Sequence, residues 1–194
     1  HAMEGSLLSS QTAEKILELA RSTKALMYGR FKLSAGGISP YYFDGRLITL
    51  HPEGAYSIAN AMLPVLKECE ADTVAGPTLG ADPIVASIVV ASFQQRQPIS
   101  GLIVRKKAKG HGGKRAIEGP LKKNARVVVV DDTCTTGASL LMAIDTLEIA
   151  GCQVVKVVCV LDRCEGGSTE IRSRGYPFLS ILEADEAGRI VPSD

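Results

Sequence analysis

No apolar run in the sequence approaches the roughly 20 residues needed to cross a bilayer, and no charged segment followed by an apolar one opens the chain. Neither a membrane span nor a secretory signal is therefore expected. An excess of charge is missing as well. With 22 basic residues against 21 acidic ones and a net charge of +1, no global field steers the chain toward nucleic acid or an anionic membrane. Cysteines at pairing or ligand spacings are also lacking. Cys69, Cys134, Cys152, Cys159 and Cys164 are odd in number and form no metal-ligand motif, which argues against a disulfide framework and a zinc site and for a reducing, cytoplasmic setting. There is no G-x-x-x-x-G-K-[ST] stretch, so the triphosphate cradle of the P-loop hydrolases is excluded. Internal repeats and low-complexity segments are absent too.

What remains is a chain of 194 residues, 45% of them hydrophobic, enough for one well-filled core and a single domain over residues 1–194. His1 and Ala2, ahead of Met3, read as a cloning remnant. Helical spacing of Ile16, Leu19, Ala20, Leu26 and Met27 predicts an amphipathic helix over residues 11–28, capped by Ser10 or Thr12 and ended by Gly29. The segment FKLSAGGISPYYFDGR then reads as a β-hairpin with a Gly-Gly-Ile-Ser-Pro turn, a small N-terminal hood over residues 31–46. A second helix follows over 53–70, with Pro64 expected to kink it. Beyond it, short β-branched runs (TVAG, SGLIV, RVVVV, QVVKVVCVL) alternate with helical stretches. None of these runs alternates strictly, so both faces of each strand are buried, and the fold class is α/β with a central, mostly parallel sheet flanked by helices. The tail, residues 183–194, reads as a polar edge strand or a frayed end.

Residues 127–139, VVVVDDTCTTGAS, set four apolar residues against two acids and a loop rich in hydroxyls. In an open parallel sheet, ligands bind where strands end and loops lead into helices. Thr133, Cys134, Thr135, Thr136, Gly137, Ala138 and Ser139 would approach a helix N-terminus, whose free N–H groups and dipole favour a phosphate. Asp131 and Asp132 cannot serve that phosphate, because like charges repel. They suit ribose hydroxyls or a magnesium ion attached to it. One such Asp could be a plain helix cap; two acids and four hydroxyl residues exceed what a cap needs.

Between strands, Arg105, Lys106, Lys107, Lys109, Lys114 and Arg115 fall with His111 in an acid-free stretch, which holds six of the 22 basic residues. Mutual repulsion and three glycines make residues 105–118 a mobile basic lid by expectation, one that a pyrophosphate would draw closed. A solvated surface loop is the plain alternative. An RNA-binding tract would want interleaved aromatics, which are missing here.

Residues 127–139 resemble the phosphoribosyl-pyrophosphate motif of the type I phosphoribosyltransferases, a superfamily that includes non-catalytic regulators. The lid R-K-K-A-K-G-H-G, the upstream FKLSAGGISPYYFD and the later VLDR resemble, more specifically, orotate phosphoribosyltransferase, over about residues 19–163. The resemblance implies the type I phosphoribosyltransferase fold, orotate and 5-phosphoribosyl 1-pyrophosphate (PRPP) as substrates, and a place in pyrimidine synthesis. Magnesium would be held mainly through the substrate, with no certain protein ligand of its own. The subunits would form a homodimer with the lid acting in trans. Lys109 and His111 would be catalytic; Arg105, Lys106, Lys109, His111, Asp131, Asp132 and residues 133–139 would bind PRPP. Thr135, Arg163, Tyr42 and Phe43 would border orotate, and residues 75–83 would form the pyrophosphate loop. Two positions depart from many relatives: Ser34 and Gly80 stand where lysines are common. A purine phosphoribosyltransferase or a non-catalytic PRPP-sensing regulator is the alternative.

Overall fold

The computed structural model describes residues 8–106 and 116–194. Lys107, Lys109, His111, Lys114 and Arg115 of the expected lid lie outside the described residues.

Helix α1 (Ser10–Ser22) starts where Ser9 Oγ accepts from the N–H of Thr12 at 3.2 Å and buries Ala13, Ile16, Leu17, Leu19 and Ala20. It ends six residues before the expected point. Thr23 turns its hydroxyl back to the Leu19 carbonyl at 2.7 Å, and Lys24 takes a positive φ of 61°, which no helix continues through. Leu26 and Met27 fit a helical period, but they belong to strand β1 (Leu26–Lys32), paired antiparallel with β2 (Ile38–Phe43). The turn is tighter than expected, at Leu33 to Gly37, and Ile38, Ser39 and Pro40 are already strand; Pro40 is tolerated because a two-stranded ribbon has an open edge.

After the short α2 (Arg46–Thr49), helix α3 (Pro52–Glu68) begins with proline in its first turn, the position that needs no N–H, and His51 Nδ1 accepts from Gly54 N–H at 3.3 Å. It runs through Pro64 without interruption.

The main sheet has seven strands in the order β5-β4-β3-β6-β7-β8-β9. Its centre is parallel: β3 (Thr73–Pro77), β4 (Ser100–Val104), β6 (Arg126–Cys134), β7 (Gln153–Asp162) and β8 (Phe178–Ala184). The short β5 (Ile117–Glu118) and β9 (Ile190–Pro192) close the two edges antiparallel. Helix α4 (Asp82–Gln94) joins β3 to β4, α5 (Ala138–Ile149) joins β6 to β7, and α6 (Gly167–Ser173) joins β7 to β8. This is the mostly parallel, helix-covered sheet with a separate N-terminal hairpin that the strand pattern predicts.

The four consecutive valines show why strict alternation is missing. Val128 and Val130 enter the core packed under α1, α3 and α4, while Val127 and Val129 enter the core under α5; all four are fully buried. Each such side chain contributes about 1.5–3 kcal/mol of apolar burial, so both sheet faces are held by the strand that carries the acids. The tail is no frayed end: Ser180 and Ser193 join by their hydroxyls at 2.7 Å, the Ile190 N–H donates to the Tyr28 hydroxyl at 3.0 Å, and the Arg189 guanidinium lies 4.0 Å over the Tyr28 ring. Strand β9 thereby ties the hairpin to the sheet edge. Among the described residues, no helix is long and apolar enough to cross a membrane.

Candidate active site

Strand β6 reaches further than its apolar run. It continues to Cys134 because β7 offers ladder partners as far as Asp162, pairing Asp131 with Cys159 and Thr133 with Leu161. The acids thus sit on the strand itself, held by sheet hydrogen bonds, where the sequence placed them at its end. Asp131 is 7% exposed. Burial first, then the neighbouring Asp132 carboxylate, push its carboxyl up to about 8. Its Oδ1 accepts from the Asp132 backbone N–H at 2.8 Å.

Two glycines make room for this pair. A Cβ on Gly45 would stand 2.5 Å from Asp132 Oδ2, and one on Gly80 would stand 2.6 Å from Asp132 Oδ1 and 2.9 Å from Asp131 Oδ1. A side chain at position 80 would require the Asp131 and Asp132 carboxylates to shift. Gly80 belongs to the β3–α4 loop, which also contains a cis Thr78–Leu79 peptide.

The loop after β6 wraps a cavity of about 120 Å³ lined by Asp131 and residues 133–140. Gly137 turns the chain into α5 with φ 83°, the left-handed region that favours glycine. Backbone N–H groups at the start of this 12-residue helix have no carbonyl partner within it and so face the cavity region with the positive end of the dipole. The loop is braced from below by the β7–α6 connection: Arg163 N–H donates to the Cys134 carbonyl and Gly167 N–H to the Thr135 carbonyl, both at 3.0 Å. A Cβ on Gly167 would lie 2.6 Å from Gly137 N. Gly167 is a site residue the sequence reading missed, and its only signal was a Gly-Gly pair after a strand. Cys134 is buried, and the Cys159 thiol hydrogen-bonded to it holds it below the usual thiol value, while burial pushes Cys159 well up.

Beside this loop opens a cleft of about 520 Å³ between the hairpin and the sheet. Its wall brings together Tyr42, Phe43, Asp132, Thr133, Thr135, Thr136 and Arg163, seven of the predicted site residues, with Ser34 at the hairpin turn. Arg163 is only 11% exposed at its side chain; its Nε lies 3.7 Å from Glu165 Oε2, its Nη2 donates to Ser39 Oγ at 3.5 Å, and its guanidinium carbon lies 4.4 Å over the Tyr41 ring. Strand alternation separates the two tyrosines: Tyr42 faces the cleft, whereas Tyr41 is 4% exposed and was missed from sequence. Arg105 pairs with Glu118 at 3.1 Å across β4 and β5, and neither it nor Lys106 lines the cleft. Lys109 and His111 lie outside the described residues.

Paired acids on a strand, a phosphate-sized loop at a helix start and a cleft beside both define the class, a type I phosphoribosyltransferase; the family model for the phosphoribosyl transferase domain matches residues 52–182. Among curated relatives, orotate phosphoribosyltransferase of Aquifex aeolicus is 43% identical over 175 residues, covering 89% of this chain and 96% of the relative. That of Nostoc sp. is 44% identical over 174 residues, covering 89% and 84%. The crystal structure of Mycobacterium tuberculosis orotate phosphoribosyltransferase in complex with PRPP superposes with a TM-score of 0.74 at 32% identity, over 89% of this chain and 96% of that one. The chain belongs to the orotate phosphoribosyltransferase family of pentosyltransferases. An adenine phosphoribosyltransferase from Thermoanaerobacter pseudethanolicus, TM-score 0.61 at 15% identity, shares the fold.

Proposed function

We propose that the chain joins orotate to PRPP, giving orotidine 5′-monophosphate and pyrophosphate, as a homodimer whose lid closes over the partner's site. The observation that carries this reading is the single cleft wall on which Asp132, Thr135 and Arg163 meet the Tyr42–Phe43 face. A flat base lies along the backbone of Tyr42 and Phe43, its carboxylate meets the Arg163 fork, and its ribose partner lies toward the acids. The 5′-phosphate takes the 133–139 loop, where N–H groups and hydroxyls converge.

Reaction at the ribose C1 builds positive charge on the sugar and negative charge on the departing pyrophosphate. Catalysis is then chiefly placement and electrostatics, with no covalent protein nucleophile. Asp131 and Asp132 steady the ribose hydroxyls and, when ionised, the developing positive charge. Lys109 and His111 neutralise or protonate the leaving group, with Arg105 and Lys106 adding charge. Magnesium would be held mainly through the substrate, with Asp131 and Asp132, whose crowding adds to the burial that raises Asp131, as the nearby acids that suit a cation, and it would supply positive charge toward the pyrophosphate.

An unpartnered apolar face supports the homodimer. Tyr56 of α3 and Val90 of α4, 68% and 60% exposed, line a groove of about 340 Å³, and Phe93 of α4 is 78% exposed. Helix α4 is apolar on both sides, a pattern that calls for a covering partner.

The decisive experiment follows the loss of orotate absorbance with PRPP and magnesium. Turnover with adenine or hypoxanthine instead of orotate would move the reading to a purine enzyme, and PRPP binding without turnover of any base would make the chain a regulator. Lys109→Ala is expected to lower turnover at least about a hundredfold. Mixing that variant with Asp132→Asn chains is expected to restore partial activity through hybrid dimers, and no recovery would confine the lid to its own subunit.

A further inference from the structure

Tyr41, on the buried side of β2, has no part in the reaction as described, yet its ring lies against the Arg163 guanidinium. The 4.4 Å between the guanidinium carbon and the ring centroid lies well inside the roughly 6 Å over which an aromatic face attracts a cation. The ring is fixed by its surroundings, because Tyr41 belongs to the larger hydrophobic core at 4% exposure. A ring face sets the height and plane of a guanidinium but leaves it free to turn. Ser39 Oγ on Nη2 and Glu165 on Nε remove that freedom. Of the three contacts the ring is the strongest candidate for the hold: the Ser39 contact, at 3.5 Å, is long for a hydrogen bond, and Glu165 is 44% exposed and screened by water.

The Tyr41 hydroxyl takes no part. It is buried with no hydrogen-bond partner among the described residues, and burial pushes it up to about 12 against the lowering pull of Arg163, so the side chain is a neutral aromatic at any working pH. A buried hydroxyl left unpaired destabilises. What this position contributes to Arg163 is therefore its ring.

We infer that Tyr41 is a positioning residue for recognition of the base: its buried ring fixes the plane of the Arg163 guanidinium, and through it the bidentate reception of the substrate's carboxylate. Fork-to-fork pairing rewards a fixed plane, because ordering a free arginine on binding would cost affinity. The inference rests on the assignment of the orotate carboxylate to Arg163.

The test replaces residue 41 with phenylalanine and with mono-, di- and trifluorophenylalanine introduced by nonsense suppression, which nearly preserve shape while draining negative potential from the ring. Tyr41→Phe is expected to hold the KM for orotate within about twofold, and the fluorinated series to raise it stepwise to about tenfold, the span of a desolvated cation–π contact. The KM for PRPP and kcat should stay level, which a merely structural role would not single out. Because the series conserves volume, folding is not at stake, and circular dichroism and thermal melts check it; Tyr41→Leu, if folded, should match the trifluoro variant. A flat orotate KM across the series, or a parallel rise for both substrates, overturns the inference. Arg163→Gln run alongside separates the two levels: a large rise in orotate KM for that variant with a flat series defeats the Tyr41 inference alone, whereas no rise defeats the carboxylate assignment and the inference with it.

Discussion

At the proposed phosphate end of the cleft, the polar groups among the described residues that line the loop cavity come from one unbroken stretch, residues 131–139, and the acids there are crowded: two carboxylates share a corner with two glycines pressed against them. At the base end, Ser39, Tyr41 and Arg163 come from segments separated by as many as 124 positions, and the Arg163 charge arrives already accompanied, by a ring, a hydroxyl and a carboxylate. The first end is held in an electrostatically costly arrangement that a ligand relieves. The second is preassembled and needs little reorganisation. A contiguous motif can carry strain because its geometry is enforced by the sheet ladder; a dispersed one has to be held by contacts of its own.

The sharpest way to break this contrast is at the costly end. Asp132→Asn keeps the shape and removes the charge proposed to steady the ribose, and kcat/KM for PRPP is expected to fall by about 10²–10³. A drop of less than tenfold in steady-state assays would place the acid outside the reaction. At the preassembled end the loss is smaller and of another kind. Arg163→Gln removes one charge-assisted contact, worth about 1.5–3 kcal/mol, and should raise the KM for orotate by roughly 10- to 150-fold while leaving the KM for PRPP near its original value. An equal rise in both would mean that Arg163 braces the phosphate loop through more than its backbone.

The smallest effect concerns stability. Asp131 is raised from an unfolded value near 4 to about 8 in the fold. The folded chain therefore holds a proton that the unfolded chain releases between those values, and Asp131's contribution to stability is fully present below about pH 4 and is lost as pH rises toward 8. Asp131→Asn abolishes that dependence. In the absence of ligands, calorimetry should find the gain in Tm of the variant over wild type growing between pH 5 and pH 8 and levelling off above. A gain that is flat with pH would mean that Asp131 is ionised in the free fold.

The parallel sheet was legible because unbroken β-branched runs such as Val127 to Val130 need two buried faces, and residues 131–139 were legible because all of their chemistry is contiguous. The ends of elements were less so. Leu26 and Met27 fit a helical period equally well as a strand, and the choice was made by the positive φ at Lys24 and by pairing with Phe43 and Tyr42, neither of which a local pattern contains. Gly167 was missed because a glycine shows its purpose only when the backbone it must admit, here Gly137 and Thr135, is in view. Of the adjacent Tyr41 and Tyr42, only the strand's orientation tells which faces the cleft.

By itself the sequence determined the fold class, the phosphate-binding stretch with its acid pair, and the kind of ligand they suit, because apolar burial follows from local pattern and the chemistry of a contiguous loop is carried by its residue types. Only the tertiary structure decided that burial raises the Asp131 carboxyl, that Gly45 and Gly80 press against the Asp132 carboxylate, and that Arg163 rests on Tyr41. Each of these depends on how closely groups from distant segments approach and how little water lies between them, and that is set when the sheet and the hairpin pack together.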